Sequence, residues 1–356
     1  HIERGGAAVM ASTTAPTSFF NQPKTLSAIE RSFVALDLPL RGMTDRIIGT
    51  YSGAEPGVLV VVFGAVHGNE PAGVRALEEI FGMLEREPSL NPGFTFQGRL
   101  VGMVGNLQAF QQGKRFLDRD LNRLWTSANL RRIQQTDPSS LQGEDRELAE
   151  LTEAIHTEIQ ASRPEALVLL DLHTTSAEGG IFCIPSDDKA SLRLAKELHA
   201  PVILGMLDGL EGTLLHFAAG NHFEIDGYPH YSIGAAFEAG QHDDPLSVSR
   251  AIAAIVNCLR AAGCIRAEDV DSRHESTLRA FSDPLPKVTR LRHVHHIRPG
   301  DAFDMRPGYV NFQPIQKGEH LANDATGPVL APEDGLILMP LYQPQGSDGF
   351  FVVREI

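Results

Sequence analysis

Cysteine is scarce in this 356-residue chain and odd in number: Cys183, Cys258 and Cys264. That excludes a disulfide framework and makes a reducing, cytoplasmic setting the expectation. No apolar stretch approaches the roughly 18 residues a membrane-spanning helix needs. Basic residues are in deficit, 31 against 45 acidic, for a net charge of −14. A nucleic-acid partner is therefore disfavoured, because phosphate backbones call for a basic surface; a small anionic substrate met by a local arginine cluster is not. A Gly-x-Ser-x-Gly elbow is missing, which counts against a serine hydrolase. The first 23 residues lack the basic start and apolar core of a secretory signal. They read as a disordered leader, with Met10 a candidate start.

What is present is an ordinary globular composition, 42% apolar, in a chain long enough for one large domain and one small one. Apolar runs at Val58–Phe63, Arg99–Val104, Ala166–Leu170, Ile181–Ile184, Val202–Leu204 and Gly234–Phe237 read as strands. Amphipathic stretches at Pro71–Leu84, Glu144–Ala161, Lys189–His199 and Pro245–Ala261 read as helices, with Pro71 and Pro245 suited to a first turn. The alternation predicts an α/β fold: a mostly parallel or mixed central sheet with helices on both faces. Beyond about Ser272 proline, glycine and short apolar runs take over, which predicts a small C-terminal all-β domain. The expected division is 1–23 leader, 24–272 α/β domain and 273–356 small β domain.

Four patches carry candidate chemistry. His67-Gly68-Asn69-Glu70 follows the run 58–63, and an imidazole and a carboxylate at i, i+3 can point two donors at one metal ion. A helix N-terminal turn with a dipole-favoured glutamate would look the same. Asp171-Leu172-His173 follows the run 166–170; 171 and 173 face one side of an extended segment, so His173 can ligate while Asp171 orients it. A strand end whose polar residues cap the next turn is the alternative. Together these two patches suggest a zinc site of two histidines and one glutamate, a donor set that in catalytic centres leaves one coordination position open. The third patch runs from Asn106 to Arg123; Arg115, Asn122 and Arg123 offer planar donors for a carboxylate and for a developing oxyanion, and Asp120 can hold one of the arginines. A solvated loop with local ion pairs is the blander outcome. In the fourth, Phe237-Glu238-Ala239-Gly240-Gln241-His242, Glu238 at the end of an apolar strand is a candidate general base, or a capping or surface glutamate.

The order of these pieces resembles the succinylglutamate desuccinylase/aspartoacylase family, a branch of the zinc carboxypeptidase superfamily. The matching motifs are His67-Gly68-Asn69-Glu70, Asp120-Leu121-Asn122-Arg123 with Arg115 upstream, Asp171-Leu172-His173 and Glu238-Ala239-Gly240, over about residues 58–241. The resemblance implies one Zn2+ per chain on His67, Glu70 and His173. It implies Glu238 as the acid/base that activates water and protonates the leaving amine, Arg115 polarising the scissile carbonyl, and Asn122 and Arg123 gripping a substrate carboxylate. The implied activity is hydrolysis of the amide bond of a small N-acyl amino acid. The pattern departs from aspartoacylases in two places: Tyr228 falls near the position of a further substrate-binding arginine, and Phe350-Phe351 stands in place of a tyrosine pair. N-acetylaspartate specificity is therefore not expected.

The alternatives are a carboxypeptidase-like peptide hydrolase on the same metal site and a non-catalytic zinc-binding protein with a relict site. Neither a nucleic acid nor a membrane is expected as partner, and a homo-oligomer is left open. His293, His295 and His296 form a cluster without a nearby carboxylate or thiolate, which reads as structural or surface. Cys183 and Cys258 fit a core role, and Trp125 either packs beside the site or in the core.

Overall fold

The computed structural model describes residues 45–219, 231–269 and 273–356. Its strands are β1 (Ile47–Ser52), β2 (Glu55–Gly64), β3 (Gln97–Val104), β4 (Ala166–Thr175), β5 (Phe182–Pro185), β6 (Val202–Leu204), β7 (Tyr231–Gln241), β8 (Val288–His296), β9 (Asp304–Met305), β10 (Pro314–Ile315), β11 (His320–Asp324), β12 (Gly327–Leu330), β13 (Gly335–Leu338) and β14 (Asp348–Glu355). The helices are α1 (Ala72–Leu90), α2 (Leu107–Gln111), α3 (Ser127–Gln134), α4 (Gly143–Ser162), α5 (Lys189–Glu197), α6 (Leu214–Ala219), α7 (Ser247–Ala261) and α8 (Arg273–Ser282). The leader and the Tyr228 region lie outside the described residues.

Among the described residues, eleven strands form one mixed sheet in the order β1-β3-β2-β4-β7-β5-β6-β8-β14-β13-β10, and β12, β11 and β9 form a second. The centre, β3-β2-β4-β7, is parallel; β1 and β5 pair antiparallel to it. The period of two along a strand divides β2 between the faces. Val60 and Val62 enter the core shared with α1 and α7, whereas Leu59, Val61 and Phe63 enter the core shared with α4. The strand β4 divides in the same way, Val168, Leu170 and Leu172 against Leu167 and Leu169. Burial on both faces is why these strands read as unbroken apolar runs.

The strand-rich C-terminal part continues the large sheet. β8 pairs parallel with β6, and β14 runs antiparallel to β8. A third core cluster, containing Phe182, Ile184, Leu215, Ala236, Phe351 and Val353, unites β5 and β7 with β14. The consequence is local: residues from the end of the chain reach the carboxyl ends of β2, β4 and β7.

Candidate active site

In open α/β sheets ligand sites form at the carboxyl ends of the parallel strands, and here the sequence patches meet at that edge. His67 and Glu70 lie just beyond β2, His173 lies near the end of β4, and Glu238 lies near the end of β7. The parallel register sets His173 opposite Glu238 on adjacent strands. All four side chains are buried and line one cavity.

Glu70 is the hub. Its Oε1 lies 3.0 Å from His67 Nδ1 and its Oε2 3.1 Å from His173 Nδ1. The Thr174 amide donates to Oε2 at 3.0 Å. The imidazole centroids are 4.9 Å apart, and one donor atom from each of His67, Glu70 and His173 falls within 4.8 Å of the others. Each histidine turns its other nitrogen to a carboxylate: His67 Nε2 lies 3.1 Å from Asp120 Oδ1, and His173 Nε2 lies 2.8 Å from Asp171 Oδ2, though out of line for a hydrogen bond. Two nitrogens and one oxygen facing inward, with the outer nitrogens backed by carboxylates, fit a divalent cation such as zinc. Burial would raise the Glu70 pKa, but His67 and His173 outweigh it and hold the carboxyl well below its usual range. Burial would likewise lower His173, yet Asp171 and Glu70 hold it well above 6.5.

Gly68 is required by close approach. A Cβ there would lie 2.3 Å from the backbone of Ala109 and Phe110 and 2.5 Å from the Lys114 carbonyl oxygen. The Gly68 amide donates to the Arg115 carbonyl at 3.0 Å, which ties the 109–115 segment to the turn that carries His67 and Glu70. The Arg115 side chain turns back over that turn. Its Nη2 lies 3.0 Å from His67 Nε2 and 3.2 Å from Asp120 Oδ2, and its Nη1 is 3.4 Å from Glu70 Oε1. Asp120 thus holds both an arginine and a histidine, and of these two partners the sequence suggested only the arginine.

Glu238 stands apart from this network. Its Oε2 has no hydrogen-bond partner among the described residues. Burial pushes its pKa up to about 7, with the neighbouring His173 pulling the other way and Glu70 adding to the rise. A buried carboxyl that titrates near neutrality suits proton transfer. Gly240, at φ +112, ends the motif where a Cβ would lie 2.3 Å from Arg250 Nη1. That guanidinium donates to the Ala239 carbonyl and to Asp244, anchoring the strand end beside Glu238.

The cavity also receives Asn122 and Arg123. The Asn122 side-chain oxygen accepts the Leu214 amide at 3.0 Å. Arg123 is already engaged: Nη2 donates to Asp348 Oδ2 at 2.6 Å and Nη1 to the Asn122 carbonyl at 2.8 Å. Gln343, which also lines the cavity, accepts from Asn69 at 2.9 Å and lies 3.3 Å from His242 Nε2. Neither Asp348 nor Gln343 carried a sequence signal, since Gln343 sits in a loop and Asp348 opens β14, both without a motif. Asn106, from the third patch, is structural; it caps α2 and donates to Glu144.

The remaining features fall outside the site. Trp125 is core, its ring 5.6 Å from that of Phe217, and all three cysteines are buried and unpaired. His295 stacks on Phe350 at 5.0 Å, and His296 pairs with Asp348 at 2.8 Å. Of the Phe350-Phe351 pair, Phe351 faces the cavity. No helix among the described residues is long and apolar enough to cross a membrane.

Residues 56–225 match the model of the succinylglutamate desuccinylase/aspartoacylase catalytic domain. The match covers just under half of the chain, which is similar to that family over this stretch. A "Probable aspartoacylase" of Nostoc sp. is 30% identical over 127 residues, which is 35% of this chain and 38% of the relative. A succinylglutamate desuccinylase of Yersinia pseudotuberculosis is 32% identical over 115 residues, 32% of this chain and 31% of the relative. The match thus spans about a third of the length of these curated relatives. Solved structures extend the likeness of fold. A succinylglutamate desuccinylase/aspartoacylase from Rhodobacter sphaeroides has a TM-score of 0.57 at 18% identity, over 86% of this chain and 87% of that one. Murine aminoacylase 3 has a TM-score of 0.53 at 19% identity, over 85% and 96%.

Proposed function

We propose that the protein is a zinc-dependent amidohydrolase that cleaves the amide bond of a small N-acyl amino acid, releasing a carboxylic acid and a free amino acid. The observation that carries this is the convergence of His67, Glu70 and His173 donor atoms within 4.8 Å of one another, in the same cavity as the unpartnered carboxyl of Glu238. The names of the family relatives support the reaction class.

In this reading His67, Glu70 and His173 would hold the cation, which would supply Lewis acidity and make water available as a nucleophile near neutral pH. Glu238 takes the proton from the attacking water and returns it to the departing nitrogen; a pKa of about 7 lets one carboxyl serve both steps. Arg115 donates to the oxyanion that develops on the scissile carbonyl. Asn122 and Arg123 orient the substrate carboxylate. Asp120 holds His67 through its Nε2, and the Asp171 carboxylate beside His173 Nε2 favours a proton on that nitrogen.

The test combines elemental analysis of the purified protein with a hydrolysis screen over N-acyl amino acids and short peptides, with and without a chelator. About one zinc per chain, and N-acyl amino acid hydrolysis that disappears on chelation and returns with added zinc, are expected. Stoichiometric zinc with no turnover would favour a relict site, and preferential peptide trimming would favour a carboxypeptidase.

A further inference from the structure

Beside its polar residues the cavity has a hydrocarbon lining made by Ile184, Leu207, Leu210, Leu215, Met339 and Phe351. These side chains belong to the core cluster that joins β5 and β7 to the C-terminal strands, or pack against it, so the surface is the open side of a packed core. It begins close to the chemistry. Ala236 also lines the cavity and lies two residues before Glu238 on β7, on the same face of the strand.

Among the described residues the cavity has no spare cation for a second anionic group. Among the described lining residues the only permanent cations are Arg115 and Arg123. Arg115 is turned onto Glu70 and Asp120, and Arg123 is paired with Asp348. The carboxylates of Glu70, Asp171, Glu238 and Asp348 line the same space. Residues 220–230, outside the described part, contain no lysine or arginine. A substrate arm bearing a carboxylate would lose its hydration against aliphatic side chains and face Asp348; an apolar arm would gain by burial there.

We infer that this cavity selects N-acyl amino acids whose variable arm is aliphatic or aromatic, with a single carboxylate, and rejects substrates with more than one carboxylate, such as those the relatives' names imply. The inference rests on the amidohydrolase reading. The arm that packs on the apolar lining is either the side chain of the amino acid or the acyl chain, and the chemistry is the same for both.

The experiment measures kcat/KM of the zinc-loaded full chain on N-acetyl-L-leucine, N-isovalerylglycine, N-acetyl-L-aspartate and N-succinyl-L-glutamate. Thermal shifts with leucine, isovalerate, aspartate and succinate are recorded in parallel. At least one apolar substrate is expected to exceed both polycarboxylates by tenfold or more, and comparison of the first two identifies the arm. Leu210→Arg, at a half-buried position, supplies the missing cation and is expected to narrow that ratio at least tenfold. A wild-type preference for either polycarboxylate overturns the inference while leaving the amidohydrolase reading intact. No turnover on any substrate, with stabilisation by leucine or isovalerate but not by aspartate or succinate, overturns the reaction and upholds the apolar selectivity. No turnover and no selective stabilisation overturns both.

Discussion

Glu238 and Glu70 are both buried glutamates within one cavity, and their surroundings drive them in opposite directions. Glu70 is gripped by two histidines and an amide and stays ionised; Glu238 keeps an orphaned oxygen and rises to about 7. A sequence motif cannot make that distinction, because it depends on which partners fold in around each carboxyl. Spacing did expose His67, Glu70 and His173, since two donors at i, i+3 and a histidine after an apolar run are local patterns. The prediction at this scale is Glu238→Gln. The amide keeps the shape but cannot take a proton, so zinc content should be unchanged while kcat falls by about 10²–10⁴-fold. Elemental analysis and steady-state kinetics check this; a variant of normal kcat removes Glu238 from the role of base.

At the scale of elements, the apolar runs were legible because strands buried on both faces have little freedom in composition. What was not legible is how far β4 and β7 extend. The observed β4 continues to Thr175 and β7 to Gln241, through Asp171, His173 and Glu238. Polar residues at a strand end look like a loop until the site they serve is known. The helix α4 adds a device that amphipathic periodicity hides. Near its N-terminus, Glu144 is buried and accepts the amides of Leu117, Asp118 and Arg119 and the side-chain nitrogen of Asn106. This carboxylate therefore folds the loop between Arg115 and Asp120. Burial would raise its pKa, but the donors, led by the Leu117 amide, outweigh burial and lower it. A depressed carboxyl contributes stability above its unfolded pKa, near 4.5, and loses it as pH falls through the folded value. Glu144→Gln must turn an NH2 toward backbone donors and should cost about 1–3 kcal/mol at pH 7. Denaturant titrations should show the gap to wild type narrowing as pH is lowered toward 4; a gap independent of pH would mean the carboxylate charge plays no part.

For the whole molecule, the cavity is closed by parts of the chain far apart in sequence. Gln343, Asp348 and Phe351 come from the C-terminal strand-rich part, held there because β14 joins β8, and β8 joins β6, in the main sheet. No pattern in the sequence forecasts that closure, since β6 and β8 are separated by α6, β7, α7 and α8, β8 and β14 by five short strands, and β14 contributes only Asp348 and Phe351 to the cavity. The same closure makes metal binding a property of the entire fold. Donors on β4 and beyond β2, and the carboxylates backing them, converge only in the native state, so a cation that binds there stabilises native over unfolded chain by about 2.7 kcal/mol at a hundredfold excess over Kd. Zinc should therefore raise the thermal midpoint by several degrees relative to chelated protein. The size of that rise should depend on pH with a definite sign. Asp171 and Glu70 hold His173 well above 6.5 in the metal-free site, so a proton competes with the cation for its Nδ1, and binding must expel it. Lowering the pH from about 8 to about 6 should shrink the zinc-induced shift, and His173→Ala should reduce it at both values. An undiminished shift in His173→Ala would place the bound zinc elsewhere on the protein. A shift that grew on acidification would mean that protons do not compete with the cation for the His173 nitrogen.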